Sequence, residues 1–330
     1  MPLPSTIKHL TILCPSWVGD VVMASCVWKM ARARFPDANI TAVIRPHLAP
    51  LLDGVDAFDS ILPLDMKSSV FIAAKELRSL SADAIILLPN SFRSAMIAKL
   101  ARIPIRCGYK RDRRSWLLTE GIPVIQQQHP APTTEYYLRL ANVLFDAEEQ
   151  LSLPTIGTSK SQHGILDKYS HPIVLLVVGA SKPKKRWAPE RFARVADSLH
   201  EMGVTCCAIG SPEEHELIQE VVRVANSPVH DLTQSDLTLG SLKDVIQQAD
   251  LMITNDTGPR HLAVAYGTPT ITLYGPTDYR WTQYSCTHDL AILADPFLPD
   301  SLVADNNQAR CNINRIPPRD VVAVSKQFLT

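Results

Sequence analysis

Three short segments of the chain place charged side chains beside small residues, just after an apolar run, where they could act on a polar substrate. The first is PSWVGD at 15–20. Gly19 permits a tight turn, and Asp20 stands where a helix would begin. Two interpretations stay open: Asp20 caps that helix, or it is a catalytic base. A helix N-terminus weakens a carboxylate as a base, yet a weak base suffices if the hydroxyl that it activates loses its proton late.

The second segment, GASKPKKRWAP at 179–189, carries three lysines and an arginine. Cations beside a strand end and ahead of a helix suit a diphosphate. The alternative is a solvated basic loop. Trp187, followed closely by Pro189, indicates a loop of defined structure and favours ligand binding.

The third segment, TNDTGPRH at 254–261, joins a predicted strand to a predicted helix. The first backbone N–H groups of that helix would form an anion site, and Asp256 could accept hydrogen bonds from ligand hydroxyls. A simple helix cap remains possible. His261 is either a ligand contact or a hydrogen-bonded core histidine.

Several common site motifs are absent from the sequence. There is no GxxxxGK[ST] phosphate loop, no GxGxxG fingerprint and no GxSxG elbow. No Asp-x-Asp pair occurs, so the usual carboxylate clamp for a metal-bound sugar nucleotide is missing. We therefore expect no obligatory metal and no cofactor, with phosphate charge met by Lys, Arg and backbone N–H groups.

The elements that position these segments follow from the hydrophobic pattern. Short β-branched runs alternate with longer helical stretches, which is typical of parallel α/β architecture. The predicted strands are His9–Cys14, Asn39–Ile44, Ala84–Leu88, Ile173–Val178, Val204–Ile209, Leu251–Thr254 and Thr270–Leu273. The predicted helices are Asp20–Arg34, Ser91–Ala101, Pro189–Glu201, Glu213–Val224, Leu242–Gln248 and Gly258–Tyr266. Ligands of such sheets bind beyond the carboxyl ends of the strands, where all three segments lie.

The length of 330 residues favours two domains. We expect one at 1–155, a linker at 156–172, a second domain at 173–315, and a C-terminal helix at 316–330 that packs back on the first domain. Two such α/β domains would leave a cleft between them.

Composition excludes several classes of protein. Hydrophobic residues make up 46% and charged residues 20%, as in folded proteins. Lys+Arg and Asp+Glu are equal at 33, so bulk charge does not recruit nucleic acid or membrane. Seven cysteines without a CxxC predict reduced cytosolic thiols rather than disulfides or zinc. We see no signal peptide, and the longest apolar run, Ile173–Val178, is far shorter than the roughly 20 residues of a membrane span.

Taken in order, these segments resemble the ADP-heptose:lipopolysaccharide heptosyltransferase family, most closely its type II members. The matching blocks are PSWVGD at 15–20, LPNSFRSA at 88–95, IPIRCGY at 103–109, KRWAPERFA at 185–193, IGSPEEHE at 209–216, TNDTG..H at 254–261 and LYGPT at 273–277. One departure stands out: many type II enzymes read TNDSGLMH where this chain has TNDTGPRH, which changes Pro259 and Arg260.

The resemblance implies a GT-B fold, that is, two facing Rossmann-like domains with a central cleft. It implies an inverting, single-displacement transfer of heptose from ADP-heptose in the second domain to a lipid A–core acceptor in the first. The enzyme would be cytoplasmic and peripheral to the inner membrane, because its acceptor is an anionic lipid there. Protein partners are not indicated.

The resemblance also assigns residue roles. Asp20 would be the general base and Lys185 the cation that neutralises phosphate. For the donor, Ser181 would donate to the phosphates, the Thr257 and Gly258 N–H groups would hold the diphosphate, and Asp256 would hold the heptose hydroxyls. One of Glu213, Glu214 and Glu216 would contact the ribose, and adenine would lie against the segment of Leu237 and Thr238. Gly19 and His261 are further expected donor contacts. Acceptor contacts are expected from Trp17, Asn90, Arg93, Arg111, Arg113 and Arg114. These arginines form a basic cluster with Arg102, Arg106 and Lys110. Two interpretations of the cluster stay open: it is an ordinary solvated face, or it steers the anionic acceptor and holds the enzyme at the membrane surface.

Three alternatives remain at this point. A sister enzyme would use another nucleotide sugar, a GT-B sugar-nucleotide epimerase would convert its donor without an acceptor, and a sensor would only bind the nucleotide sugar. Gly19-Asp20 together with the Lys185 segment argue against the sensor, which has no need of a base.

Overall fold

The computed structural model describes residues 2–125, 129–158, 164–235 and 237–329. The chain divides into two compact α/β units. Unit 1 comprises Met1–Gln128 with Thr133–Thr158, and unit 2 comprises His129–Pro132 with Ser159–Thr330.

Each unit is built on a six-stranded sheet. In unit 1 the elements are β1 His9–Leu13, α1 Val18–Met23, α2 Ser25–Arg34, β2 Asn39–Ile44, β3 Ser60–Pro63, α3 Val70–Ser79, β4 Ala84–Leu87, α4 Phe92–Leu100, β5 Ile105–Lys110, β6 Glu120–Pro123 and α5 Thr133–Phe145. In unit 2 they are β7 Ile173–Val177, α6 Pro189–His200, β8 Thr205–Ile209, α7 His215–Val224, β9 Val229–Asp231, α8 Leu239–Gln248, β10 Leu251–Asn255, α9 Gly258–Tyr266, β11 Thr270–Tyr274, β12 Asp289–Leu293 and α10 Pro318–Leu329.

Both sheets have the same parallel topology. The strand order is β3-β2-β1-β4-β5-β6 in unit 1 and, read in the same sense, β9-β8-β7-β10-β11-β12 in unit 2. The chain therefore changes direction across the sheet between β1 and β4, and again between β7 and β10. Open parallel sheets bind their ligands at this switch point, in the crevice beyond the carboxyl ends of the two strands.

The central strands are the hydrophobic runs that the sequence predicted. Every residue of β4, β7, β10 and β11 is buried. Burial on both faces explains why β4 and β7 are apolar along their whole length rather than alternating. The predicted parallel α/β architecture is confirmed. The edge strands β3, β6, β9 and β12, and the inner strand β5 of unit 1, were not predicted, because none of them is buried along its whole length.

Three predicted helices differ in the structure. One of them, α8, begins at Leu239, three residues before the expected Leu242. The helix expected over Asp20–Arg34 is two helices, interrupted at Ala24, whose φ and ψ of −82° and 1° are not helical. The buried Ser25 that opens α2 accepts a hydrogen bond from the Thr155 backbone N–H at 3.0 Å. The helix expected from Glu213 begins as a 3-10 turn over Pro212–Glu214 before continuing as α7.

The C-terminal helix α10 lies within unit 2. Its buried Val321 belongs to the same apolar cluster as Trp187 and Phe192. We had expected this helix to pack on the first domain, but the side chains that it buries contact the second. The expected linker at 156–172 lies partly outside the described residues, which omit 159–163.

Within the described ranges, no helix is both long and apolar enough to cross a membrane. All seven cysteines, each of which is described, carry free thiols.

Candidate active site

The switch point of unit 2 brings together two residues that the sequence singled out. Lys185 ends a 3-10 turn over Pro183–Lys185 in the loop after β7, and Asp256 follows β10. The Lys185 Nζ lies 2.6 Å from Asp256 Oδ2, with side chains only 18% and 6% exposed. A partly buried cation therefore stands at the position where a parallel sheet binds its ligand.

Asn255, which the sequence analysis did not assign, holds the loop after β7 against the end of β10. Its Nδ2 donates to the carbonyls of Val178 at 2.8 Å and Gly179 at 3.2 Å. Its Oδ1 accepts from the Trp187 backbone N–H at 3.1 Å. Because Trp187 is two residues after Lys185, these hydrogen bonds also hold the backbone from which the Lys185 side chain extends. One sequence feature could have indicated the role of Asn255: its amide side chain comes at the end of an apolar strand, directly before Asp256.

Arg260 neither contacts solvent nor reaches outward as a phosphate ligand. Its side chain is 1% exposed and pairs with Asp289 on β12, with Nη2 and Oδ2 2.5 Å apart. Nη1 donates to the Thr282 carbonyl at 2.9 Å and lies 3.9 Å from Asp256 Oδ1. The guanidinium also stacks near the rings of Tyr274 and Tyr284, at 5.3 and 5.1 Å from their centroids.

This network sets the charges of the site. Burial alone would raise the pKa of Asp256, but the positive charges of Lys185 and Arg260 hold it below its ordinary value. Burial likewise opposes the charge of Arg260, but Tyr274 and Asp289 keep its pKa above the usual range. Asp256 is therefore ionised at neutral pH, and its Oδ1 accepts from Thr282 Oγ1 at 3.1 Å. Carboxylate oxygens have lone pairs to spare, so Asp256 can still accept from ligand hydroxyls.

Helix α9 begins two residues after Asp256. Thr257 is its N-cap and makes no side-chain capping bond, and Gly258 is its first residue. Both are half-buried. The free N–H groups of the first turn and the nearby Lys185 ammonium create a positive region that can bind a diphosphate. Ser181 is exposed on the loop after β7.

The three candidate glutamates are placed differently. The Glu214 carboxyl lies directly over Gly179, where a Cβ would come within 1.9 Å of it. Its Oε2 accepts from the Ser211 N–H at 2.9 Å, and it therefore sits between the ends of β7 and β8. Glu213 and Glu216 are exposed.

The segment expected to contact adenine precedes α8. Thr238 is the N-cap of α8, accepting from the Ser241 N–H at 3.2 Å, and Leu237 beside it is half-buried.

His261 differs from the expected donor contact. Its side chain is 4% exposed, and its Nδ1 lies 2.6 Å from the Tyr284 hydroxyl. Burial, reinforced by the neighbouring Arg260 charge, lowers the pKa of His261 to about 3. It is a neutral, hydrogen-bonded core histidine, since α9 turns this position toward the interior.

In unit 1, the turn after β1 presents Asp20 in the first turn of α1. Gly19 is buried, Asp20 is half-buried, and Trp17 is 65% exposed. Burial raises the pKa of Asp20 above its ordinary value. The expected weakening of this base by the helix terminus is therefore outweighed by desolvation.

Arg114, an expected acceptor contact, is instead a structural residue. Its side chain is fully buried, and all five guanidinium N–H groups point at acceptors. These acceptors are the carbonyls of Tyr109, Pro89 and Leu87, Ser94 Oγ and Asn90 Oδ1. No donor remains for a ligand. Gly108 makes room for this group, since a Cβ there would lie 2.9 Å from its Nη2.

Asn90 and Arg93 are also engaged internally. Asn90 Nδ2 donates to the Tyr136 hydroxyl at 2.7 Å, in addition to the bond from Arg114. Arg93 donates to the carbonyl of Met66 at 2.7 Å and to that of Ser68. The prediction that Arg93 binds the acceptor therefore needs correction, because its guanidinium ties α4 to the loop before α3. Arg111 and Arg113 are exposed.

In the part of the chain that the structure describes, no three His, Cys, Asp or Glu side chains come together as a metal site. The expectation that no obligatory metal is needed stays a prediction.

The Arg260–Asp289 pair gives a first prediction. We expect Arg260→Met to lower the free energy of unfolding by about 3–5 kcal/mol, because Asp289 is left buried and uncompensated. The double variant Arg260→Met/Asp289→Asn should recover most of that loss. Denaturant unfolding followed by circular dichroism measures both. Arg319→Met, at a side chain 88% exposed, is the control. A double variant as unstable as the single one would contradict the coupling.

His261 gives a second prediction, for pH. Its folded-state pKa of about 3 lies below the 6.5 of a free histidine, so the unfolded chain binds the proton first. This contribution to stability is complete above about pH 6.5 and decreases as pH falls toward 3. Between pH 7 and 5, the stability of His261→Gln should therefore depend less on pH than that of the wild type. The exposed His200→Gln is the control and should keep the wild-type slope. Equal slopes in His261→Gln and wild type would contradict the assignment.

Comparison with known proteins identifies the family and the fold. The profile of glycosyltransferase family 9, described as heptosyltransferase, matches residues 70–295. Lipopolysaccharide heptosyltransferase 2 of Salmonella typhimurium is 26% identical over 294 residues, which cover 83% of this chain and 84% of the relative. Lipooligosaccharide heptosyltransferase 2 of Haemophilus influenzae is 26% identical over 297 residues, covering 83% and 85%.

The solved structure of Escherichia coli ADP-heptose lipopolysaccharide heptosyltransferase II has a TM-score of 0.83 and 24% identity, covering 97% of this chain and 98% of that one. This likeness confirms the predicted GT-B fold class, with two Rossmann-like units. Because the family profile spans more than half of the chain, the protein belongs to glycosyltransferase family 9.

Proposed function

We propose that the protein transfers heptose, with inversion and without a metal ion, from ADP-heptose to the anionic inner core of lipopolysaccharide. The observation that carries the proposal is the Lys185–Asp256 ion pair of 2.6 Å at the switch point of unit 2. It provides a cation for a departing diphosphate and a carboxylate for a sugar within one site. The relatives named heptosyltransferase 2 support the choice of heptose.

Departure of ADP is the step that unit 2 would assist. As the bond between the anomeric carbon and the diphosphate oxygen breaks, negative charge grows on the phosphates. Lys185 and the N–H groups at the start of α9, including Gly258, would stabilise that charge. Asp256 would hold the sugar through its hydroxyls, and Ser181 would donate to a phosphate. Glu214, the glutamate that packs against Gly179, is our choice for the ribose contact.

Activation of the acceptor would fall to Asp20. Its carboxylate would take the proton of the acceptor hydroxyl as the new bond to the anomeric carbon forms on the face opposite the departing ADP. Because burial raises the pKa of Asp20, it is a stronger base than an ordinary surface aspartate. The acceptor would be an anionic lipid at the cytoplasmic face of the inner membrane, approached through exposed residues such as Trp17, Arg111 and Arg113.

The nearest alternative is a sister enzyme with another nucleotide sugar, suggested by Pro259 and Arg260. The burial of Arg260 against Asp289 weakens that alternative, because the arginine does not present its guanidinium to a donor.

Donor turnover with and without a heptosyl–keto-sugar–lipid A acceptor tests the proposal. We expect acceptor-dependent ADP release that persists in EDTA and falls by about 10²–10⁴ in Asp20→Asn, with donor binding retained. The exposed Asp37→Asn is the control. Turnover of a different ADP- or UDP-sugar would reassign the donor. Conversion without acceptor would indicate an epimerase, and loss of activity in EDTA that Mg²⁺ restores would refute metal independence.

Lys185 can be compared with its own neighbour. Lys185→Gln should lower kcat by about 10²–10³, because charge stabilisation of the departing diphosphate is lost. Lys184 lies in the same 3-10 turn and is exposed, so Lys184→Gln should stay near wild type. Single-turnover ADP release at saturating donor measures both. Equal losses in the two variants would mean that kcat depends on the overall positive charge of the loop and not on the particular cation paired with Asp256.

A further inference from the structure

Positive charge is concentrated in one part of this neutral chain. Residues 65–114 contain 11 of the 33 basic but only 4 of the 33 acidic residues. Eight of these basic side chains are exposed, namely Lys67, Lys75, Arg78, Lys99, Arg102, Lys110, Arg111 and Arg113. The three others, Arg93, Arg106 and Arg114, are partly or fully buried. Most of the positive charge of this part of the chain is therefore at the surface.

Large apolar side chains are exposed in the same region. Phe71 is 77% exposed, Ile72 58%, Phe92 40% and Trp116 61%, and we call these four residues the aromatic face. The rings of Phe92 and Trp116 are 6.0 Å apart, and the Lys99 ammonium lies 4.5 Å from the Trp116 ring centroid. Helix α3 turns Ala73, Ala74 and Leu77 inward, so Phe71 and Ile72 contribute little to the core of unit 1.

The fold brings these residues together. Helices α3 and α4 pack on the same side of the sheet, in one apolar cluster. Arg93, in the first turn of α4, donates to the carbonyls of Met66 and Ser68, just before α3. That anchor holds the first turn of α4, which carries Phe92, against the segment that leads into α3 and Phe71, at the carboxyl edge of the sheet. Apolar residues clustered in this way on a surface usually mark a binding site.

We propose that the aromatic face docks on an anionic lipid bilayer. Tryptophan and phenylalanine with basic neighbours suit the boundary between acyl chains and headgroups, where the rings enter and the cations meet lipid phosphates. The charge of 65–114 is complementary to an anionic surface. The inference rests on the proposed function only because the proposed acceptor is a membrane lipid. What it adds is the face of unit 1 that meets the membrane.

Co-sedimentation with lipid vesicles tests the proposal without donor or acceptor, so it can fail independently of the catalytic assignment. The full chain is mixed with vesicles of phosphatidylcholine alone or with added phosphatidylglycerol. We expect binding to the anionic vesicles, reduced about tenfold in Phe71→Ser/Trp116→Ser and about tenfold in Lys67→Gln/Lys99→Gln. Matched controls in unit 2 are Phe297→Ser, at a residue 86% exposed, and Arg319→Gln, and both should bind as wild type. Circular dichroism verifies the fold of each variant.

Three outcomes would overturn the proposal. The first is a wild type that does not bind anionic vesicles, and the second is an aromatic-face double variant that binds as well as wild type. The third is found by sedimentation velocity without lipid: a wild-type dimer that Phe71→Ser/Trp116→Ser makes monomeric, with vesicle binding unchanged. That result would assign the face to a second copy of the chain instead.

Discussion

A carboxylate buried at the end of a central strand stays charged only if positive groups surround it, and Asp256 is such a carboxylate. Lys185 reaches it from the loop after β7 and Arg260 from the first turn of α9. Arg260 in turn requires Asp289 on β12. One charge balance thus connects three strands and a helix of unit 2. The donor site that we propose depends on it, because the same Lys185 would meet the phosphates.

The two units have the same topology, but the pKa values of the carboxyl groups at their switch points are shifted in opposite directions. At the switch point of unit 2, cations outweigh burial and lower the pKa of Asp256, which suits a group that accepts hydrogen bonds from a ligand. At the corresponding point of unit 1, burial raises the pKa of Asp20, which suits a group that takes up a proton. A helix terminus at a surface is worth only about 0.3–1 kcal/mol, and α1 has just six residues. Desolvation therefore decides the character of Asp20.

The arginines of unit 1 fall into two groups: some donate hydrogen bonds to backbone carbonyls at the edge of the sheet, and others are exposed to solvent. Arg114 satisfies the carbonyls of the turn after β4, and Arg93 links α4 to the loop before α3. Both guanidinium groups thus supply partners to loop carbonyls, and proteins rarely leave such groups unpaired where they are buried. The positive charge left at the surface, around Phe92 and Trp116, is what the bilayer proposal uses.

Local sequence determined the central strands, the turns that follow them and the candidates Asp20, Lys185 and Asp256. Continuous apolar runs can only be buried strands here, and the small and charged residues after them must lie at the carboxyl edge. Tertiary structure alone decided which side chains remain available. The partners of Arg260 and His261 lie at Asp289 and Tyr284, more than 20 residues away, and meet them only once β11 and β12 pair. Burial and hydrogen bonding of a side chain depend on such distant neighbours. For that reason, residues whose types suggested ligand contacts in the sequence have structural roles in the fold.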